Sequence, residues 1–116
     1  MYRERPHLWY VDTPCIITAV GTALGPVAVI QNIPDKIRKD GYTRLDVANR
    51  FIRANLPIQK SIEYKRGQRP KLKDLHLDGK AIVCVYGHYL YLDHETYWSY
   101  FNNENDDVVR IWILKT

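Results

Sequence analysis

The sequence predicts an α+β domain in which helices come first and antiparallel strands follow. Three observations support this. Helix start and stop signals flank an apolar segment after Thr13, a second apolar stripe at helical spacing ends at Pro57, and short strand-like runs fill the C-terminal third. Helices that precede strands are typical of the α+β class. With 116 residues, we expect one domain over 1–116.

The first predicted helix follows Thr13 and Pro14. Threonine is a favoured N-cap, and proline suits the first helical position because its missing N–H would have no partner there. Gly25 and Pro26 supply the stop signal. Apolar residues between them recur at helical spacing, namely Ile16, Ala19, Val20, Ala23 and Leu24.

The second predicted helix covers 43–56. Thr43 and Asp46 resemble a capping box, with aspartate in place of the usual Glu or Gln. One apolar stripe follows at helical spacing: Leu45, Ala48, Phe51, Ile52 and Leu56. We expect a short strand around 58–64, a loop over 66–70 and a short helical turn near Leu72.

The C-terminal third predicts an antiparallel β-meander on which the helices pack. Residues 80–86 form a continuous apolar run, Gly87 interrupts it, and His88 then shares one strand face with Leu90 and Leu92. Further strands are expected at 95–98 and 108–114, separated by a polar loop over 102–107.

Composition excludes several classes of protein. No apolar run approaches the roughly 20 residues that cross a bilayer, and no signal peptide is evident, so we expect no membrane contact. Two cysteines do not make a disulfide framework, which favours free thiols and a cytoplasmic location. The sequence has no glycine-rich phosphate loop, and the other histidines (His7, His76 and His94) lack ligand spacing with either cysteine, so we expect neither cofactor nor metal.

Cys15 is the first candidate for chemistry. It falls in the first helical turn, where unpaired backbone N–H groups and the helix dipole favour an anion and would lower the thiol pKa. The alternative is a small apolar residue packed at a helix start. Cys84 lies within the apolar run 80–86, and we interpret it as structural.

His88 is the natural partner of Cys15. It follows Gly87 on the inward face of a predicted strand, where an imidazole needs a polar partner. The alternative is a structural histidine whose hydrogen bonds are satisfied. A thiol at a helix start and an imidazole at a strand start are the nucleophile and base that covalent catalysis requires.

Two segments resemble a known family. Residues 12–25 (DTPCIITAVGTALG) resemble the cysteine-bearing first helix of small papain-like cysteine peptidases of bacteria and their phages, and residues 80–98 resemble the histidine-bearing hairpin of the same family. The helix at 43–56 also sits between the two segments, as in those proteins. The resemblance implies a papain-like fold and a thiol peptidase or acyl-transfer activity on a protein or peptide.

The resemblance also implies residue roles. Cys15 would be the nucleophile and His88 the general base, and the Cys15 backbone N–H would form half of an oxyanion hole. The other half comes from a polar side chain just before the cysteine. Here Asp12 and Thr13 are the matches, and neither is the glutamine that the family usually has.

The third member of the triad does not follow the family pattern. In the family, an Asp or Asn after the histidine orients the imidazole. By spacing that place falls at Trp98 or Ser99, neither of which is a carboxylate. We select Asn102, which lies slightly beyond; Asp93, in the preceding turn, is the alternative.

Two further hypotheses compete with an enzyme. A papain-like fold with a decayed site would act as a protein-binding module, such as an inhibitor or effector, through its many tyrosines. A basic nucleic-acid binder would use the cations at 60–73, although a net charge of +4 disfavours that partner. The substrate and the oligomeric state are left open by the sequence.

Overall fold

A computed structural model of the chain describes residues 2–4, 15–25, 44–99 and 102–115, and it has α+β architecture. Its elements in chain order are β1 (Tyr2–Glu4), α1 (Cys15–Leu24), α2 (Leu45–Asn55), β2 (Ile58–Glu63), a 3₁₀ turn (Leu72–Asp74), β3 (Lys80–Val85), β4 (His88–Asp93), β5 (Thr96–Ser99) and β6 (Val108–Leu114). The predicted helices and C-terminal strands are therefore confirmed to within a few residues.

The strands form one sheet in the order β1-β5-β4-β3-β6-β2. Strands β2 to β6 are antiparallel to their neighbours, and β1 joins the edge of the sheet parallel to β5. Two-residue turns connect β3 to β4 and β4 to β5, so these three strands form the expected meander.

The meander prediction was wrong for the last strand. β6 pairs with β3 and β2 rather than with β5. The outer edge of β5 is occupied by β1, and the polar segment after β5 carries the chain back across the sheet to β3. Because the choice of strand partner depends on long-range contacts, local periodicity does not reveal it.

One face of the sheet is covered by the helices. The helical side chains Ile16, Val20, Phe51 and Ile52 are fully or almost fully buried against this face. The sheet residues that meet them alternate along the strands, and they include Ile82, Cys84, Tyr89, Tyr91 and Trp112. Trp112 also donates its indole N–H to Asn49 Oδ1 at 2.9 Å, which fixes α2 to β6.

The opposite face is covered by the 3₁₀ turn and the residues that follow it. Leu72 is buried there, with Leu75 and Leu77 packed beside it. The sheet residues on this face are Ala81, Val83, Val85, Leu90, Leu92, Tyr97, Val108 and Ile111. Since both faces are covered, β3 and β4 read as continuous apolar runs rather than as simple alternation.

The helix starts are described only in part. Thr13, Pro14 and Thr43 lie outside the described residues, so their predicted capping is not tested. Arg44 precedes α2 without a side-chain cap, and Asp46 Oδ1 accepts the Val47 backbone N–H at 2.9 Å. Within the described ranges, no helix is both long and apolar enough to cross a membrane.

Candidate active site

Cys15 is the first residue of α1 and is partly buried. Its Sγ accepts the backbone N–H of Tyr89 at 3.4 Å. Val85 and His88 flank the two-residue turn between β3 and β4, so that pair exchanges both backbone hydrogen bonds, and the next amide, that of Tyr89, points away from β3. A strand N–H lies in the plane of its sheet, so the sulfur sits beside β4 near that plane.

His88 lies next to this contact, because it directly precedes Tyr89. The sulfur is 3.4 Å from the Tyr89 nitrogen. Peptide geometry puts that nitrogen about 2.4 Å from the His88 Cα, so the sulfur lies within about 6 Å of this Cα. The structure thus places the Cys15 sulfur beside the backbone of His88, the other residue that the sequence singled out.

The His88 ring is the first member of a series of buried polar groups linked by hydrogen bonds. Its Nε2 lies 2.7 Å from Ser99 Oγ, which is 2.5 Å from Asn103 Oδ1. Asn103 Nδ2 in turn lies 2.6 Å from Asp106 Oδ2. His88, Ser99 and Asn103 are all buried, at 6%, 3% and 1% exposure.

The hydrogen bonds between His88 and Asp106 all run in one direction, which is set by the Asp106 carboxylate. The Asp106 carboxylate can only accept, so it takes the Asn103 amide N–H and turns the amide oxygen towards Ser99. Ser99 then donates its single hydrogen to that oxygen and must accept from the imidazole. His88 is therefore protonated on Nε2, and Nδ1 is the nitrogen able to take up a proton.

The acid–base properties of the pair differ from the expectation for Cys15. Burial raises the pKa of the Cys15 thiol and outweighs the backbone N–H groups of Tyr89, Ile16 and Cys15, which act in the opposite direction. Burial likewise lowers the pKa of His88 to about 4, although the Asp106 charge opposes that shift. The predicted lowering of the thiol pKa was wrong, because desolvation is the larger effect. Near neutral pH both groups are uncharged.

Asn102 does not orient the imidazole. It is exposed in the loop after β5, and its Oδ1 accepts the Tyr97 hydroxyl and the Glu104 amide, each at 2.9 Å. Ser99 contacts the ring because alternation along β5 puts it on the same sheet face as His88. The structure thus assigns the orienting position to Ser99 instead of Asn102.

Three functional candidates were missed or set aside in the sequence. Ser99 has the right spacing, yet it is neither a carboxylate nor an amide, which are the groups that usually orient a catalytic histidine. Asn103 and Asp106 lie in the polar loop, and no periodic pattern indicates that they turn back towards the sheet. Asp12 and Thr13 lie outside the described residues, so the second half of the oxyanion hole is not tested.

The other cysteine and histidines occupy different surroundings. Cys84 is fully buried, and its Sγ lies 3.4 Å from the Val85 carbonyl oxygen. His76 and His94 are exposed at the far end of β4 beside carboxylates. Across the part of the chain that the structure covers, no group of three or more His, Cys, Asp or Glu side chains could hold a metal ion.

Comparison with protein-family models, with curated proteins and with solved structures finds no match to this chain.

Proposed function

We propose that the protein is a thiol hydrolase or acyl-transfer enzyme with a papain-like arrangement, in which Cys15 is the nucleophile and His88 the general base. The observation that carries the proposal is the position of the Cys15 sulfur on the amide that follows His88, together with the contact between His88 Nε2 and Ser99 Oγ. A nucleophile, a base and a group that orients the base are the parts that covalent acyl transfer needs.

The reaction begins from two neutral groups. As the Cys15 sulfur attacks a substrate carbonyl carbon, the thiol proton moves to His88 Nδ1, and a thioester forms when the leaving group departs with that proton. Water, or another acceptor, then attacks the thioester by the reverse proton path and releases Cys15. The Cys15 backbone N–H would donate to the oxyanion.

The buried polar chain supports the charged intermediate state. When His88 becomes an imidazolium, its Nε2–H remains bonded to Ser99, and the Asp106 carboxylate at the end of the chain favours the positive charge. The Tyr89 N–H likewise favours negative charge on the sulfur. Both interactions strengthen as charge develops, which is the requirement for transition-state stabilisation.

The proposal is tested with an activated acyl ester such as p-nitrophenyl acetate. We expect one equivalent of p-nitrophenol per protein in a burst, and mass spectrometry of the digested protein should find the acetyl group on Cys15. The Cys15→Ala variant should show no burst, whereas Cys84→Ala, matched in chemistry at a buried position, should retain it. Acetylation of Cys84 alone, or a burst that survives Cys15→Ala, would exclude the proposed nucleophile.

A second candidate, a protein-binding module, is favoured by the pKa directions. A thiol with a raised pKa beside an imidazole with a lowered pKa is a weakly reactive pair at rest. The tyrosine surface expected for such a module is reduced, since Tyr89, Tyr91 and Tyr97 are buried and only Tyr86 is exposed among the described large hydrophobic residues. If this candidate is correct, Cys15→Ala leaves biological activity intact while Tyr86→Ala abolishes it.

A further inference from the structure

A cleft of about 450 Å³ opens at the end of the sheet that carries the candidate site. It lies between the start of α2, the loop after β2, the turn between β3 and β4, and the start of β6. Its lining residues are Leu45, Arg66, Arg69, Tyr86, Gly87 and Val109. A volume of this size falls within the range of small-ligand sites in proteins.

Two arginines give the cleft its charge. Arg66 is exposed, while Arg69 is half-buried and donates its Nε–H to the Tyr64 carbonyl oxygen at 3.4 Å, which restrains the guanidinium. Among the ion pairs within the described ranges, neither arginine has a carboxylate partner. Both guanidinium groups are therefore available to an anion from outside.

The carboxylate that shares a cavity with the two arginines is already engaged. Asp107 lines an adjoining cavity of about 500 Å³, together with Arg66 and Arg69. Lys71 Nζ lies 2.6 Å from Asp107 Oδ1, so this ion pair largely cancels the Asp107 charge. The cleft consequently presents net positive charge to solvent.

Tyr86 adds an aromatic surface to the same cleft. Its side chain is 79% exposed, which is unusual for a large ring in a turn between two buried strands. An exposed tyrosine beside arginines offers apolar contact and a hydroxyl to one ligand at little entropic cost. Gly87 follows it with φ of 79°, a left-handed conformation that lets the two-residue turn present Tyr86 outward.

We propose that Arg66, Arg69 and Tyr86 form a subsite that binds an acidic side chain of a peptide substrate next to the bond that Cys15 attacks. Gly87 lines the cleft and directly precedes His88, so the cleft adjoins the residue that is the proposed general base. This inference rests on the proposed function in one respect, that the bound peptide is a substrate. The binding of an acidic peptide itself does not depend on catalysis.

A peptide carboxylate fits the cleft better than a nucleic-acid backbone. Planar guanidinium groups match a carboxylate through paired N–H donors. Tight binding along a phosphate backbone usually needs several unpaired cations in a track. Here Lys71 is already paired with Asp107, Glu63 interrupts the run of cations at 60–73, and Asp74 directly follows it.

Fluorescence anisotropy with two dye-labelled peptides tests the subsite in the Cys15→Ala variant of the 116-residue chain, which cannot turn the peptides over. One peptide carries three consecutive glutamates and the other three glutamines in the same flanking sequence. We expect the glutamate peptide to bind at least about tenfold more tightly, with the difference shrinking as salt is added. Arg66→Gln combined with Arg69→Gln should remove the difference, and Tyr86→Ala should weaken binding of both peptides.

A charge-matched control is available on α2. Arg50→Gln combined with Arg53→Gln also removes two positive charges, but from exposed positions outside the cleft. This double variant should change the affinity less than about twofold. Equal binding of the two peptides, or equal losses in the two double variants, would overturn the subsite. Tighter binding of a labelled oligothymidine than of the glutamate peptide would overturn it in favour of nucleic acid. Glutamate-specific binding without an acetyl-enzyme burst would retain the subsite and reject the proposed catalysis.

Discussion

A histidine lies at each end of β4, with a carboxylate in its surroundings, but the two histidines differ in burial and in hydrogen bonding. At the first end His88 is 6% exposed and reaches Asp106 through Ser99 and Asn103. At the other end His94 lies 2.6 Å from Asp93 and 3.6 Å from Asp78, with its side chain 62% exposed. A neighbouring carboxylate is common to both ends, whereas burial and a single direction of hydrogen bonding belong to His88 alone.

This difference shows what a functional histidine needs. Water can replace any of the contacts of an exposed imidazole, so neither its tautomer nor its ring orientation is fixed. The buried chain leaves only one arrangement of hydrogens, because it ends on a group that cannot donate. The end of β4 at His88 therefore fixes the tautomer that the proposed proton transfer from Cys15 requires, and the end at His94 is an exposed turn.

The largest expected effect comes from replacing the two histidines in turn. Since His88 is the proposed general base, His88→Gln should reduce the rate of acyl-enzyme formation by roughly 10²- to 10⁴-fold. The matched change His94→Gln should leave the rate within about twofold, because His94 follows the end of β4 opposite to the Tyr89 amide that contacts Cys15. The burst assay with p-nitrophenyl acetate measures both. Similar losses in the two variants would remove the distinction between the two ends.

A smaller effect is expected at the orienting serine. Ser99→Ala removes the acceptor for His88 Nε2–H, so we expect kcat to fall about ten- to a hundredfold while KM is nearly unchanged. Ser99→Thr keeps the hydroxyl and should restore most of the rate. The control is Ser61→Ala on β2, which removes a partly buried hydroxyl that bonds Ile111 and Arg110 of β6. A purely structural role for Ser99 would lower the melting temperature without the split between kcat and KM.

The pH dependence of the free energy of unfolding is a third way to distinguish the two ends of β4. The fold lowers the His88 pKa from 6.5 to about 4, so between these values the unfolded chain is protonated at this position and the folded protein is not. Stability from this residue is present in full above pH 6.5 and is lost as the pH falls through 4. The shift corresponds to roughly 3 kcal/mol.

Urea unfolding from pH 7 to pH 4 measures this slope. The wild-type protein and His94→Gln should lose stability together over that range, whereas His88→Gln should lose less, by roughly 3 kcal/mol at the acid end. Parallel curves for all three proteins would show that His88 is not held neutral by the fold.

Local sequence patterns predicted much of the fold. Helix signals between Thr13 and Gly25 and the punctuation at Gly87 act within a few residues, so they identified α1 and the β3–β4 turn without knowledge of the rest. The return of β6 to β3 and the addition of β1 to β5 depend on contacts between distant segments. No local period encodes such pairings.

The candidate site, like the fold, was predicted only where local sequence signals identify a residue. Cys15 and His88 stand at element boundaries, where sequence signals are strong. Asn103 and Asp106 act through the course of a polar loop, which has no period, so their approach to Ser99 became visible only in three dimensions. The thiol pKa depends on the degree of burial, and burial is a property of the folded protein.

The most direct test of the pairing is the pH profile of iodoacetamide alkylation at Cys15, with buried Cys84 as the internal reference. If His88 takes the thiol proton, the wild-type protein should be alkylated at Cys15 near neutral pH, with a rate that falls only as the pH approaches about 4. In His88→Gln the reaction at Cys15 should require alkaline pH, as for an unassisted thiol with a raised pKa. Identical profiles in the two proteins would contradict the account, because the sulfur would then react without any help from the imidazole.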